Sequence, residues 1–345
     1  MRKLVAVGIP LVLSLAAISA VAAGAQQATR STGSGTAAGV TVFSTDPSLV
    51  PTACGAQSVF KKAGWSWSWG GPTTGDVPSE LSYLDSISLK NPDALVLLPF
   101  SATAFNQKIK SLMSDGVPID LTDGTLTPFV AYHSFQSDES QSGAQVANGV
   151  AKLTGGTGTV GVIALEPGLA NDEMKFQPAV TLIKKHKGLK VLPIQYGANS
   201  EPKSASITAA WIEANPDLKV VIATDAASDL GAVSAILAAH DKGKIHVVAY
   251  DSSPPIRADI ASGEIAFSIS QPDYLKGVYA AEDLLAYVKK HGSRSGPVTT
   301  ASPAIIPVPT SVITKSNVNS STEKAWEDST SCSFYNGVKV PPLPK

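Results

Sequence analysis

Apolar residues fall along this chain in short runs separated by amphipathic stretches. Aliphatic and β-branched runs recur at GVTVFS (Gly39–Ser44), ALVLLP (Ala94–Pro99), VPIDLT (Val117–Thr122), TVGVIAL (Thr159–Leu165), LKVLPIQ (Leu189–Gln195), KVVIAT (Lys219–Thr224), IHVVAYD (Ile245–Asp251) and EIAFSIS (Glu264–Ser270). Most are continuous rather than alternating, the pattern of strands covered on both faces of a parallel sheet. Helical periodicity fills the intervals, as in ATAFNQKIKSLMSDG and SDLGAVSAILAAHDKG, and glycine stops each stretch. Alternating β and α predicts an open α/β sheet with right-handed crossovers. Eight strands exceed one five-stranded unit and suit two. A (β/α)₈ barrel is the alternative by strand count, although it takes ~250 residues and has no repeated half.

The first apolar run is of another kind. Residues 4–23 carry no charge, follow Met1-Arg2-Lys3 and precede Ala23-Gly24-Ala25. A basic start, an apolar stretch and a small-x-small site make a secretory signal peptide, residues 1–25, although the stretch is also long enough for an uncleaved anchor. No cysteine sits just after it, so a lipid anchor on a diacylated cysteine has no attachment point there. Residues 26–39 are rich in Gly, Ser, Thr and Ala and read as a flexible linker. The expected location is therefore the periplasm, the medium or the cell surface. An oxidising compartment pairs cysteines, so Cys54 and Cys332, the two in the chain, are expected to form a disulfide.

Composition narrows the function classes. Of 345 residues, 43% are hydrophobic and 16% charged, which excludes a disordered polyelectrolyte, a collagen and a coiled coil. A net charge of −1 gives no electrostatic pull toward nucleic acid or an anionic membrane.

Chemistry in an open α/β sheet sits beyond the carboxyl ends of the strands. Those positions here include Asp46, Phe100, Asp123, Glu166, Asn199, Asp225, Asp251 and Gln271. Any one aspartate could simply cap the helix that follows. Recurrence of carboxylates and carboxamides at tip after tip instead suits hydrogen bonds to the hydroxyls or amines of a small ligand.

Enzyme motifs do not assemble. Gly156–Gly161 matches G-x-G-x-x-G, but it precedes a strand, whereas a dinucleotide fingerprint follows one. There is no phosphate-binding loop and no G-x-S-x-G elbow, and Ser58-Val59-Phe60-Lys61 lacks the companion motifs of an S-x-x-K enzyme. His133, His186, His240, His246 and His291 show no ligand spacing, so neither a metal nor a cofactor is expected. A secreted enzyme would need a nucleophile and base that the sequence does not supply.

Several segments, in order, resemble the type I periplasmic binding proteins of ABC importers, the ribose-binding group built on the core also found in the lac repressor. The resemblance covers about Gly39 to Val318. It rests on Phe43-Ser44-Thr45-Asp46-Pro47, on Gly55-Ala56-Gln57 with Ala63-Gly64-Trp65, on Asn91-Pro92-Asp93-Ala94-Leu95 with Pro99, and on Gly116-Val117-Pro118-Ile119 before Asp123. Further on, it rests on Ser137-Asp138, on Asn215–Val221 running into Asp225 and Leu230-Gly231, and on Val247–Asp251 followed by Ile265–Gln271.

The resemblance implies two Rossmann-like lobes with parallel sheets and a three-segment hinge: a first lobe of residues 40–137 plus 272–305, a second of 138–271 plus 306–330, and a tail of 331–345. Its last hinge segment falls at Ile305–Thr314. It implies ligand contacts at Asp46, Asp123, Asp225, Asp251 and Gln271. The aromatic pair of the sugar binders is replaced by Ser48 and Leu49, the arginine after the Asp by Gly124, and the second-lobe arginine by Asp172 or a neighbour. Phe100, Trp69, Tyr196 or Tyr274 could supply stacking instead. Trp65, Trp67 and Trp69 share one strand face and are expected mainly in the core.

A pocket rich in acid and poor in arginine disfavours phosphorylated or carboxylate ligands. It suits a neutral sugar or polyol, with a cationic amine or amino sugar as the alternative. The expected protein is a monomer that closes around this ligand and presents it to an importer permease. A sensory module feeding a receptor is equally compatible. A repressor is excluded by the export signal and by the lack of a helix-turn-helix ahead of Gly39.

Overall fold

The computed structural model describes residues 34–44 and 47–342. The expected signal segment, most of the expected linker, and Thr45 and Asp46 lie outside the described residues.

Two sheets organise the chain. The first has the order β12-β5-β4-β3-β1-β2 and is parallel throughout, from β1 (Thr36–Val40), β2 (Ser66–Gly70), β3 (Ala94–Leu97), β4 (Ile119–Thr122), β5 (His133–Ser137) and β12 (Ile305–Val308). The second contains β6 (Gly158–Ala164), β7 (Leu189–Val191), β8 (Gln195–Tyr196), β9 (Leu218–Ala223), β10 (His246–Ala249), β11 (Ile265–Ser270) and β13 (Ser311–Thr314). In that sheet β13 alone among the described strands runs antiparallel, against β11.

Helices α1 (Val50–Lys62), α2 (Val77–Ser88), α3 (Asn106–Ser114) and α9 (Asp273–His291) belong to the first lobe. The second holds α4 (Glu139–Thr154), α5 (Ala170–Ile183), α6 (Glu201–Ala214), α7 (Ala226–Ala238) and α8 (Pro254–Ser262). None of these helices is long and apolar enough to cross a membrane. The expected two-lobed α/β architecture is thus present, and the single-barrel alternative is not.

Continuous apolar strands lie in the middle of each lobe, as their patterning requires. Leu95, Val96 and Leu97 of β3 are buried, as are Val220, Val221 and Ile222 of β9. Burying such a side chain contributes ~1.5–3 kcal/mol. Helix entry is fixed locally: Asp76 accepts from the Ser79 amide at 2.8 Å and Asp138 from the Gln141 amide at 2.9 Å, each a side-chain cap.

Several boundaries differ from the sequence expectation. The first strand is Thr36–Val40 rather than 39–44, so the end of the expected linker is a strand in mid-sheet. Two glycines at this strand leave room for tryptophans: a Cβ at Gly39 would run into the rings of Trp67 and Trp69 of β2, and one at Gly35, just before the strand, into Trp65. Phe60 stacks on Trp65 and Trp67 with ring centroids 5.7 and 5.2 Å away, so the tryptophans serve the core. The run at 189–195 splits into β7 and β8 around Pro193, which cannot donate to a ladder. β12 pairs with β5 in the first sheet, so the last crossing lies at Pro309-Thr310 rather than after residue 305.

The chain crosses between lobes at Ser137-Asp138, at Gln271-Pro272 and at Pro309-Thr310. A tail then returns across both lobes. Cys332 is disulfide-bonded to Cys54 of α1, as expected from the compartment, and Tyr335 stacks on Tyr274 of α9 at 4.2 Å. Just before it, Glu327 pairs with Arg257 of α8 at 3.0 Å and Asp328 accepts from the Ser252 amide at 2.6 Å.

Candidate functional site

The carboxyl ends of the two sheets face one another, and the expected aspartates come from both. On the first lobe, β4 ends and the chain turns at Asp123, whose φ of 52° is left-handed, a conformation that Asp tolerates better than most residues. The turn presents the Asp123 carboxylate to Lys276 of α9 in an ion pair, and the Ser137 amide donates to it at 3.3 Å. Lys276 is fully buried and also pairs with Asp273, one turn earlier on its helix. Burial pushes the Lys276 ammonium down; Asp123 and Asp273 outweigh it and hold the group above its ordinary value. Burial raises the Asp273 carboxyl, and Lys276 opposes that. Ser137 donates to both sides of the crossing, its hydroxyl reaching Gln271 Oε1 at 2.5 Å. The Gln271 amide nitrogen is buried and has no hydrogen-bond partner among the described residues.

On the second lobe, Asp225 ends the stretch after β9 and caps α7, accepting from the Ser228 amide at 3.0 Å and its hydroxyl at 2.6 Å. The helix-capping reading is therefore correct for Asp225, which still stands beside the other acids. Asp251 follows β10 and is buried. Asp172 lies in the first turn of α5, buried, and accepts from the Leu165 amide at 2.8 Å. Burial raises its pKa to about 6, against the pull of Lys175.

Lys175 joins the two halves. Burial pushes its ammonium down, but the carboxylates of Asp251, Asp172, Asp273 and Asp123 more than reverse this and keep it charged. Carboxylates of both lobes thus act electrostatically on one cation. Asp229 of α7 is pushed well above the carboxylate range by burial and by Asp251 and Asp225. Asp328 of the tail is pushed up by burial and by Asp251 and Asp273. Glu139, at the start of α4, rises to about 7, through burial first and Asp123 among the rest.

Of the expected site residues, Asp123, Asp172, Asp225, Asp251 and Gln271 stand at this junction, while Asp46 lies outside the described residues. Phe100 is half-buried: its amide donates to Glu80 at 2.9 Å, and it packs against a small cluster formed by Val42 and Leu98 of the first lobe and Leu169 of the second. The lobes are therefore in apolar contact there. Tyr274 is occupied by Tyr335, and Tyr196 packs in the second-lobe core.

Lys175, Lys276, Asp229 and Asp328 were not expected. Two of them left a signal, since Asp172/Lys175 and Asp273/Lys276 are i, i+3 pairs, neighbours on a helix face. Asp328 left none, because only the disulfide-held tail brings it here.

With this geometry in view, similarity to known proteins is informative. Residues 39–292 match the family described as periplasmic binding protein domain. The D-ribose/D-allose-binding protein of Pseudomonas aeruginosa is 25% identical over 237 residues, 65% of this chain and 73% of that protein. The D-allose-binding periplasmic protein of Escherichia coli is 23% identical over 213 residues, 58% and 67% of the two chains. Among solved structures, an ABC transporter solute-binding protein from Agrobacterium vitis, bound with α-D-tagatopyranose, aligns with a TM-score of 0.77 at 25% identity, covering 85% of this chain and 99% of that one. Fold and family match agree: this chain belongs to the periplasmic binding protein domain family.

Proposed function

We propose that this protein captures a monosaccharide, or a polyol of similar size, between its lobes outside the cytoplasm and delivers it to an ABC importer. The observation that carries this reading is the convergence of Asp123, Asp225 and Asp251 with the unpaired amide of buried Gln271, where the two sheets meet. Carboxylates accept from sugar hydroxyls, and the Gln271 amide donates to a hydroxyl or ring oxygen. Lys175 limits the mutual repulsion of the acids.

Ligand class follows from what the cleft does not contribute. Arg257 pairs with Glu327, and Arg294 donates to the Pro92 carbonyl at 3.1 Å. Neither forms a guanidinium fork for a phosphate or carboxylate among the cleft acids. The sugar-binding relatives support the same class.

Closure supplies the mechanism. A ligand that touches Asp123 on one lobe and Asp251 on the other gains both contacts only when the lobes close. Its differential affinity shifts the population toward the closed form. The three crossings are the segments that bend, and the permease reads the closed shape.

A melting-temperature screen over pentoses, hexoses, polyols, amino sugars, phosphosugars and carboxylic acids tests the reading, because a ligand of the native state raises the midpoint. A neutral sugar or polyol is expected to give the largest rise. A rise confined to phosphosugars or carboxylic acids would overturn it.

A further inference from the structure

A second cluster lies on the same three first-lobe elements as the cleft, at their other end. Asp120 is in β4, His133 is the first residue of β5, and Asp283 is midway along α9. One ligand atom from each lies within 4.8 Å of the others. His133 Nδ1 is 2.6 Å from Asp283 Oδ2, and the His133 amide donates to Asp120 Oδ1 at 3.0 Å. Asp120 is fully buried, and its second oxygen, Oδ2, has no hydrogen-bond partner. Instead, that carboxylate meets the Asp283 carboxylate.

Two carboxylates in contact repel each other unless a proton or a cation lies between them. Among the described residues no lysine or arginine forms an ion pair with Asp120 or Asp283. The cleft end shows the contrast, since there Lys276 stands between Asp123 and Asp273.

We propose that Asp120, His133 and Asp283 bind a divalent transition-metal ion, for which zinc is the natural probe. One imidazole and two carboxylates form a borderline donor set that suits zinc and not magnesium or calcium, which take oxygen alone. Three protein ligands leave a fourth position for water, and His133 and Asp283 keep side-chain exposures of 12% and 17%, enough for entry. The ion neutralises the facing carboxylates and ties β4, β5 and α9 together ~13 Å from the cleft, at ~3.3 Å per strand residue. Its role is structural: it braces the elements whose far ends carry Asp123, Ser137 and Lys276.

Ligand spacing in the sequence could not reveal such a site, because its residues come from three distant elements that only the fold assembles.

The test uses the full mature chain, stripped with a chelator and dialysed. Zinc chloride is titrated by calorimetry at pH 7.5, and bound metal is counted after desalting by inductively coupled plasma mass spectrometry. The expected result is one zinc per chain with a melting-temperature rise, and at least a 100-fold weaker affinity in Asp120→Asn and in His133→Gln. Circular dichroism identifies any variant that fails to fold, and Asp283→Asn is a third probe of the same set. No zinc retained by the folded wild type would overturn the proposal, and so would equal retention by wild type and folded variants. The latter would point to the remaining histidines. Sugar binding is not part of the readout, so the outcome is independent of the proposed ligand.

Discussion

β4, β5 and α9 each contribute to two acidic clusters, and the two ends differ in how charge is balanced. At the cleft end, Asp123, Asp273 and Ser137 surround a fully buried lysine, and Lys175 adds a second cation from the opposite lobe. At the far end, Asp120 and Asp283 face each other with one imidazole. Acids at the carboxyl ends of parallel strands lie where the open α/β fold places ligands, and here they are tempered by lysine so that some acceptor capacity remains for hydroxyls. Asp120, near the amino end of its strand, faces Asp283 of α9 instead, with no lysine between them among the described residues. On the two proposals above, the same residue type would serve recognition at one end of the strand and bracing at the other.

The comparison breaks most severely if Lys276 is removed. Lys276→Met leaves half-buried Asp123 and buried Asp273 without their shared partner, making the cleft end resemble the far end. Loss of one member of a buried ionic cluster costs ~3–5 kcal/mol. Urea unfolding, read by tryptophan fluorescence, should show that loss, and an unchanged midpoint would mean the cation is dispensable.

A smaller effect sharpens the second-lobe half. Asp172 has a folded pKa of about 6, against an ordinary 3.8. An acid raised in this way favours the folded state when protonated, so its stabilisation is complete below pH 3.8 and is lost as pH rises through 6. The full shift corresponds to about 3 kcal/mol at most. In Asp172→Asn this fall in stability between about pH 4 and pH 6 should largely disappear, as measured by urea midpoints across that range. An identical pH profile in wild type and variant would mean that Asp172 is not desolvated.

Much of this arrangement is readable from the residues. Continuous apolar runs place most strands, and the residues just past them include Asp123, Asp225, Asp251 and Gln271. What escapes is governed by contacts the sequence does not display. β1 reads as a linker because its residues are small, and at Gly39 that smallness is required by Trp67 and Trp69 of the neighbouring strand. β5, HSFQS, is polar at every position but Phe135, and Ser134 and Gln136 are satisfied by donating to the Gly124 carbonyl, each at 2.7 Å. The site expectation rests on aspartates and misses the lysines that make so many of them tolerable together. Lys276 sits within a helix that, apart from Asp273 and Lys276, buries apolar residues, glycine and tyrosines, and Asp328 reaches the cleft only through the disulfide-anchored tail.

The central claim is that acids from both lobes grip one neutral polyhydroxylated solute. Calorimetric titration of the best sugar from the screen into wild type and Asp251→Ala tests it most directly, with circular dichroism confirming that both are folded. Loss of hydrogen bonds to a charged group costs ~1.5–3 kcal/mol each, so affinity should fall ~100-fold or more. Equal affinity in the two proteins would contradict the account.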